Sequence, residues 1–114
     1  MSFLNSLFGK RTEDTRNIVL LPSSEFLVAV IGKKEQLIDV RTPREFDNEN
    51  IKGAINIDWF QPFRFKKAIQ NLDKERAVYV YCRTGNRSHK AALELASMGF
   101  VQIYDLQGGI TAVK

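Results

Sequence analysis

The sequence predicts a single α/β domain, with a central, mainly parallel five-stranded sheet flanked by helices. Three observations predict it. From Asn17 onward, short β-rich runs alternate with segments of helical pattern. Two of those runs, Leu37–Val40 and Ala77–Tyr81, are nearly unbroken apolar stretches, as strands covered on both faces are. The chain of 114 residues, 44% hydrophobic and 26% charged, carries only seven Gly and three Pro and no repeat or linker, so it closes one core.

The elements follow in order. Residues 1–16 read as an N-terminal arm and 17–114 as the domain. In the arm, Leu4, Leu7 and Phe8 share a face at helical spacing, so it is either a short amphipathic turn or a loose arm. Lys10 and Arg11 follow the apolar residues rather than precede them, so no secretory signal is assigned. The first strand is Ile18–Leu21, and Ser23 is the N-cap candidate of the helix after it, with Glu25 in the first turn. The second strand is Leu37–Val40. Thr42-Pro43-Arg44-Glu45 then forms a capping box with Pro at the first helical position. A third strand is expected over Ala54–Asp58, a helix over Pro62–Asn71 and a fourth strand over Ala77–Tyr81. The longest helix spans Asn86–Met98, with Ala91, Ala92, Leu95 and Met98 on one face. Gly99 ends it and Phe100 folds back. The last strand is Gln102–Asp105.

Composition excludes several classes. The chain is neither collagen-like nor disordered, and no apolar run approaches the ~20 residues of a membrane span. A net charge of +4 is mild and spread along the chain. Its densest cluster, Arg64, Lys66 and Lys67 beside Phe63 and Phe65, reads as a solvated helix face with core anchors. No nucleic-acid or membrane partner is expected, and steering of small anions is the natural use of the excess. The single Cys, Cys82, cannot form an internal disulfide, which fits a reducing compartment, the cytoplasm. One Cys and one His cannot build a structural metal site, so no metal is implied.

A lone thiol is either inert core or a nucleophile. The stretch Tyr79-Val80-Tyr81-Cys82-Arg83-Thr84-Gly85-Asn86-Arg87-Ser88 favours the second. A strand delivers Cys82 to its carboxyl end, a tight loop follows, and a helix begins. Ligands of open α/β sheets bind at such ends. Inward-facing loop amides and the helix N-terminus attract an anion, and Gly85 supplies the positive φ that the turn requires. With Arg83 and Arg87 nearby, these groups favour the thiolate, the nucleophilic species.

Four segments closely resemble the rhodanese-like domain: Leu37-Ile38-Asp39-Val40-Arg41-Thr42-Pro43-Arg44-Glu45-Phe46, Ile51-Lys52-Gly53-Ala54-Ile55-Asn56-Ile57, the Cys82 loop, and Gly108-Gly109-Ile110. The resemblance covers Ser23 to Ala112. It implies a three-layer α/β fold and an active-site Cys that forms a persulfide, here Cys82. The family's active-site loop maps onto Cys82, Arg83, Thr84, Gly85, Asn86 and Arg87, whose amides would cradle the outer sulfur while the two arginines meet an anionic donor. Asn50 replaces the family's usual His, and Val113 its usual Trp; both positions look structural.

The expected function is therefore a sulfurtransferase that moves sulfane sulfur from a small anionic donor such as thiosulfate to a thiol or protein acceptor, with no cofactor. The alternative is a persulfide carrier or interaction module without turnover. Cysteine phosphatases share the architecture, but their Cys and Arg are separated by one residue more than the four between Cys82 and Arg87. A smaller ring suits a sulfur atom better than a phosphoryl group. Arg87 is expected to be held by backbone or by a carboxylate such as Asp39, and Arg83 to project outward. Asp39 and Arg41 either orient the loop or satisfy each other, and Ser88 supports the loop. His89 is expected to be an exposed helix residue, and Trp59 and Phe60 to be aromatic core or a pocket wall.

Overall fold

The computed structural model describes residues 15–113. Strands β1 (Ile18–Leu21), β2 (Gln36–Asp39), β3 (Ile55–Asn56), β4 (Val78–Tyr81) and β5 (Ile103–Leu106) alternate with helices α1 (Ser23–Val30), α2 (Pro43–Asn48), α3 (Pro62–Ile69) and α4 (Asn86–Ser97). A 3-10 turn over Gly109–Ala112 follows β5. The strands form one five-stranded sheet in the order β1-β5-β4-β2-β3, and every pairing is parallel.

The two-residue period of the strands divides the core between two faces. On one side Ile38, Val78, Val80, Cys82 and Ile103 pack under Phe65 and Ile69 of α3 and Ala91, Ala92 and Leu95 of α4. On the other, Leu37, Tyr81 and Leu106 meet Phe26 and Val30 of α1, with Ile51 and Ile110. The result is three layers, with β4 in the middle and Cys82 one residue past its carboxyl end.

Local chemistry sets the ends. Thr42 and Glu45 form the expected capping box around Pro43. At the far end of α4, Gly99 adopts φ +96°. The Gly99 N–H donates to the Ala96 carbonyl and the Phe100 N–H to the Leu95 carbonyl, a Schellman motif that turns Phe100 into the core.

Some boundaries differ from expectation. Ser23 lies inside α1 instead of capping it: Pro22 is the cap residue, makes no side-chain cap bond, and its carbonyl accepts the Phe26 N–H at 2.9 Å. β3 is only Ile55–Asn56, an edge strand whose Ile55 is 49% exposed. Its continuation leaves the ladder, although the Ile57 and Trp59 amides still reach the Asp39 and Val40 carbonyls. α3 stops at Ile69 because the Asn71 and Leu72 amides make tighter i−3 bonds to Ala68 and Ile69. β4 and α4 are each shorter by one residue at one end, and β2 and β5 are each displaced by one residue, within the usual fraying of boundaries. The arm residues Phe3, Leu4, Leu7 and Phe8 lie outside the described residues.

The 3-10 turn comes back beneath the loop after β4. Gly109, at φ +64°, is pressed so closely against the Arg83 carbonyl and the Thr84 nitrogen that no Cβ fits between them. Gly109→Ala should therefore displace the Cys82 loop and cost on the order of 2–3 kcal/mol of stability, from overpacking and positive-φ strain together. Chemical denaturation measures the loss; an unchanged midpoint would mean that the turn yields freely.

Candidate active site

The site is built at the junction of β4 and α4. Cys82 leaves the sheet with its side chain on the α4 face, and the residue is 1% exposed. Gly85, the α4 N-cap, has φ +116°, and its N–H donates to Cys82 Sγ at 3.1 Å. The first amides of a helix have no partner within it, so α4 opens with donors toward the loop. Ser88, fully buried in the first turn of α4, places its Oγ 3.4 Å from Cys82 Sγ.

The underside of the loop is fastened by the 3-10 turn. The Ile110 N–H donates to the Cys82 carbonyl at 2.9 Å and the Thr111 N–H to the Arg83 carbonyl at 3.1 Å. A glycine pair in sequence thus marks a brace for the loop, with Gly109 supplying the close approach.

The two arginines have separate situations. The Arg87 guanidinium makes a bidentate pair with Glu45, Nη1 to Oε1 at 2.7 Å and Nη2 to Oε2 at 3.0 Å. It also stands 5.3 Å from the centre of the Phe60 ring. Arg87 is raised, first by its bond to Glu45, and the Glu45 carboxyl is held down at about 2, chiefly by Arg87. Arg83 is exposed and has no ion-pair partner among the described residues. It borders an open cleft of about 570 Å³, also lined by Arg41, Glu45, Glu49, Ile110 and Thr111.

A buried cysteine under a glycine-opened helix, braced by a glycine-pair turn, is a specific construction. The family model of the rhodanese-like domain matches residues 23–114. The chain belongs to the rhodanese-like family. Protein YqhL of Bacillus subtilis is 43% identical over 77 residues, covering 68% of this chain and 59% of its own length. The thiosulfate sulfurtransferase GlpE of Shewanella oneidensis is 35% identical over 81 residues, 71% of this chain and 77% of that protein. Among solved structures, a rhodanese-related protein of Thermoplasma volcanium matches with TM-score 0.66 and 30% identity over 82% of this chain and 88% of its own. The chain spans only 19% of some longer relatives, adenylyltransferase and sulfurtransferase proteins of yeasts.

Within this rhodanese-like domain, the residues singled out in the sequence divide into groups. Cys82, Gly85 and Ser88 come together at the sulfur. Thr84 and Asn86 sit exposed at the rim. Arg87 is held by a carboxylate, but by Glu45 instead of Asp39. Asp39 and Arg41 satisfy each other, and among the described residues no hydrogen bond joins either to the loop. Arg41 Nη2 donates to Asp39 Oδ2 at 2.7 Å and to the Glu49 carbonyl at 2.6 Å, and the Arg41 N–H caps Asp39 Oδ1 at 2.9 Å. Asp39 lies on the α1 side of the sheet, next to Leu37 in phase, away from the Cys82 face. Their pair ties the end of β2 to the segment before β3. Tyr81 accepts the Ile51 N–H at 3.0 Å in the same region, and burial raises its phenol.

His89 is exposed, as its helix position suggests. Trp59 is half-buried and packs against the core, edge-to-face on Phe65 at 5.0 Å, whereas Phe60 is 61% exposed beside Arg87. Asn50 is exposed and donates to the Phe46 carbonyl, and Val113 packs against the α1-side core. In sequence, Glu45 reads as a helix cap alone and Asp105 carries no functional signal. Only a partner on another element exposes the second role of Glu45.

That second role has a pH signature. The Glu45 carboxyl drops from 4.5 to about 2 in the folded state, so its stabilisation is present above its unfolded pKa and is lost as pH falls through the folded value. The window therefore runs from about pH 4.5 down to about 2. Glu45→Gln keeps an acceptor for the capping box and removes the ion pair. It should cost on the order of 1–2 kcal/mol at neutral pH, allowing for partial solvent screening, and flatten that acid limb in thermal melts. An unaltered limb would assign the acid sensitivity elsewhere.

Proposed function

We propose that this domain is a sulfurtransferase that works through a Cys82 persulfide, with thiosulfate as a competent donor, in a reducing compartment such as the cytoplasm. The observation that carries this reading is the placement of a buried Sγ under the Gly85 amide, with the uncommitted Arg83 at the cleft. The Cys82 thiolate attacks the outer, sulfane sulfur of the donor. A new S–S bond forms to Cys82, and sulfite departs with the electron pair of the broken S–S bond. An acceptor thiolate then attacks the outer sulfur of the persulfide, and Cys82 leaves as thiolate. The chain returns to its starting state through a covalent intermediate, so ping-pong kinetics follow.

The geometry fits a narrow reactant. With Cys82 only 1% exposed, the attacked atom must reach the sulfur through the loop mouth, and a terminal sulfur is one atom wide. Arg83 would meet the anionic remainder of the donor, and a thiol or protein acceptor would approach by the same mouth.

Purified protein given thiosulfate and cyanide should make thiocyanate; no turnover, with persulfide still accepted and passed to a protein, would favour the carrier reading. Cys82→Ser should reduce turnover to the uncatalysed background while the melting curve stays close to wild type, because the volume change is small and a hydroxyl is the poorer nucleophile. Retained activity in that variant rules the reading out.

Arg83→Ala should raise KM for thiosulfate about fivefold with little change in kcat, since one exposed charge contact is worth ~1 kcal/mol and acts mainly on donor binding. The difference should shrink at high salt, where exposed charges are screened. An equal KM at low ionic strength would leave the loop backbone as the whole anion-binding device.

A further inference from the structure

The steps above need Cys82 as thiolate and name no group that receives its proton. Asp105 is the residue in the structure that no other role explains. It lies on β5, is 1% exposed, and neither carboxylate oxygen has a hydrogen-bond partner among the described residues. A buried carboxylate left in that condition is costly and calls for a reason.

The sheet brings it to the nucleophile. Asp105 pairs with Val80 in the parallel β4–β5 register, and Cys82 follows Val80 by one pleat on the same face. Ile103, in phase with Asp105, packs in the same cluster as Cys82 and the α4 residues. α4 covers that face and sends Ser88 down from its first turn. The Cys82 thiol donates to Ser88 Oγ at 3.4 Å, while the Ser88 hydroxyl is turned to the Gly85 carbonyl at a long 3.3 Å. Burial pushes the Asp105 carboxyl up to about 6, and the Ser88 hydroxyl and His89 pull the other way. Ser88 thus touches the thiol directly and is a hydroxyl that acts on the Asp105 carboxyl, with its own proton turned to a weak bond. The other residues that the sheet sets against Asp105, Val80 on β4 and Leu20 on β1, are apolar.

We propose that Asp105, acting through the Ser88 hydroxyl, accepts the thiol proton of Cys82. The S–H bond of Cys82 breaks as its proton passes to Ser88 Oγ, and the proton of Ser88 passes to an Asp105 oxygen. Ser88 is neutral before and after, Asp105 becomes a carboxylic acid and Cys82 a thiolate. Nothing is oxidised or reduced. Rotation of the Ser88 hydroxyl from the Gly85 carbonyl to Asp105 opens the path. The negative charge moves from a carboxylate without a hydrogen bond to a sulfur that receives the Gly85 N–H and feels Arg87. Asp105 is thereby a positioning residue for the proton, and the inference rests on the reading of Cys82 as nucleophile.

Alkylation by iodoacetamide tests this without any sulfur donor, since Cys82 is the chain's single thiol and intact mass reports it alone. The rate is followed against pH for wild type, Asp105→Asn, Ser88→Ala and the double variant. Wild type should show an inflection near pH 6, where the Asp105 carboxyl titrates. Each single variant should lose that inflection and alkylate about a hundredfold more slowly at neutral pH, at the low end of what a lost proton acceptor costs. The double variant should be no slower than the slower single one, because both break one path. Asp105→Asn reacting as fast as wild type or faster overturns the proposal, as do losses that multiply in the double variant. Should Asp105→Asn fail to fold, Ser88→Ala decides: an intact inflection there overturns the relay. Sulfur transfer, assayed separately, can fail while the alkylation profile stands, or the reverse.

Discussion

Two backbone hydrogen bonds set the geometry on which the site depends: the Ile110 amide to the Cys82 carbonyl and the Thr111 amide to the Arg83 carbonyl. In a trans peptide the carbonyl and the following N–H point in opposite directions. Fixing the carbonyls of Cys82 and Arg83 toward the 3-10 turn therefore turns the Arg83 and Thr84 amides away from it. The next peptide then carries the Gly85 amide onto Sγ, with Gly85 at positive φ starting α4. Remove the brace and the loop carbonyls would be free to rotate inward, presenting negative ends to a sulfur that bears negative charge in the proposed reaction. The need for Gly109 follows from the same contact, because a side chain there would occupy the space of the Arg83 carbonyl.

The charges around the loop divide their work by position. Glu45 caps α2 and clamps Arg87, so one carboxylate joins the helix after β2 to the helix after β4. Arg87 is thereby committed to structure and acts on the sulfur at a distance, while Arg83 keeps its guanidinium for the cleft. The Asp39–Arg41 pair does comparable work on the opposite face of the sheet. There a buried, bidentate pair holds the segment that leads into β3. Removal of one partner in such a pair leaves an uncompensated buried charge, so neither residue can be replaced alone without loss of stability.

Features encoded by neighbours in sequence were legible. The Thr42–Glu45 box, the Gly99 Schellman turn and the buried runs of β2 and β4 each depend on residues within a few positions, and all appear in the fold. The strand–loop–helix course around Cys82 and the positive φ of Gly85 were legible in the same way. What was misread depends on partners far along the chain. Glu45 and Arg87 are 42 residues apart, and nothing local distinguishes Glu45 from Asp39 as the partner of Arg87. Asp39 also faces the wrong side of the sheet, a fact of strand phase that becomes visible only when register is known. The short β3 reflects its edge position, where pairing on one side supports fewer ladder bonds. Asp105 had no local signal at all, since its burial comes from α4 lying across β5.

The same burial argues about the size of what the loop can hold. A phosphoryl group needs donors for three equatorial oxygens, and enzymes that transfer it surround those oxygens with amides and a guanidinium at the loop mouth. Here the guanidinium at the helix start is occupied bidentately by Glu45, and Cys82 lies 1% exposed beneath the loop. Freeing Arg87 for an oxyanion would break two charge-assisted hydrogen bonds and the Glu45 link between α2 and α4. A single sulfur atom on Cys82, as in the proposed persulfide, asks for none of this. It needs only donors spaced for one atom, which the Gly85 amide and the start of α4 provide. The commitment of Arg87 to Glu45 is thus a structural argument, additional to the spacing of Cys82 and Arg87, against a phosphoryl ligand and for the persulfide we propose.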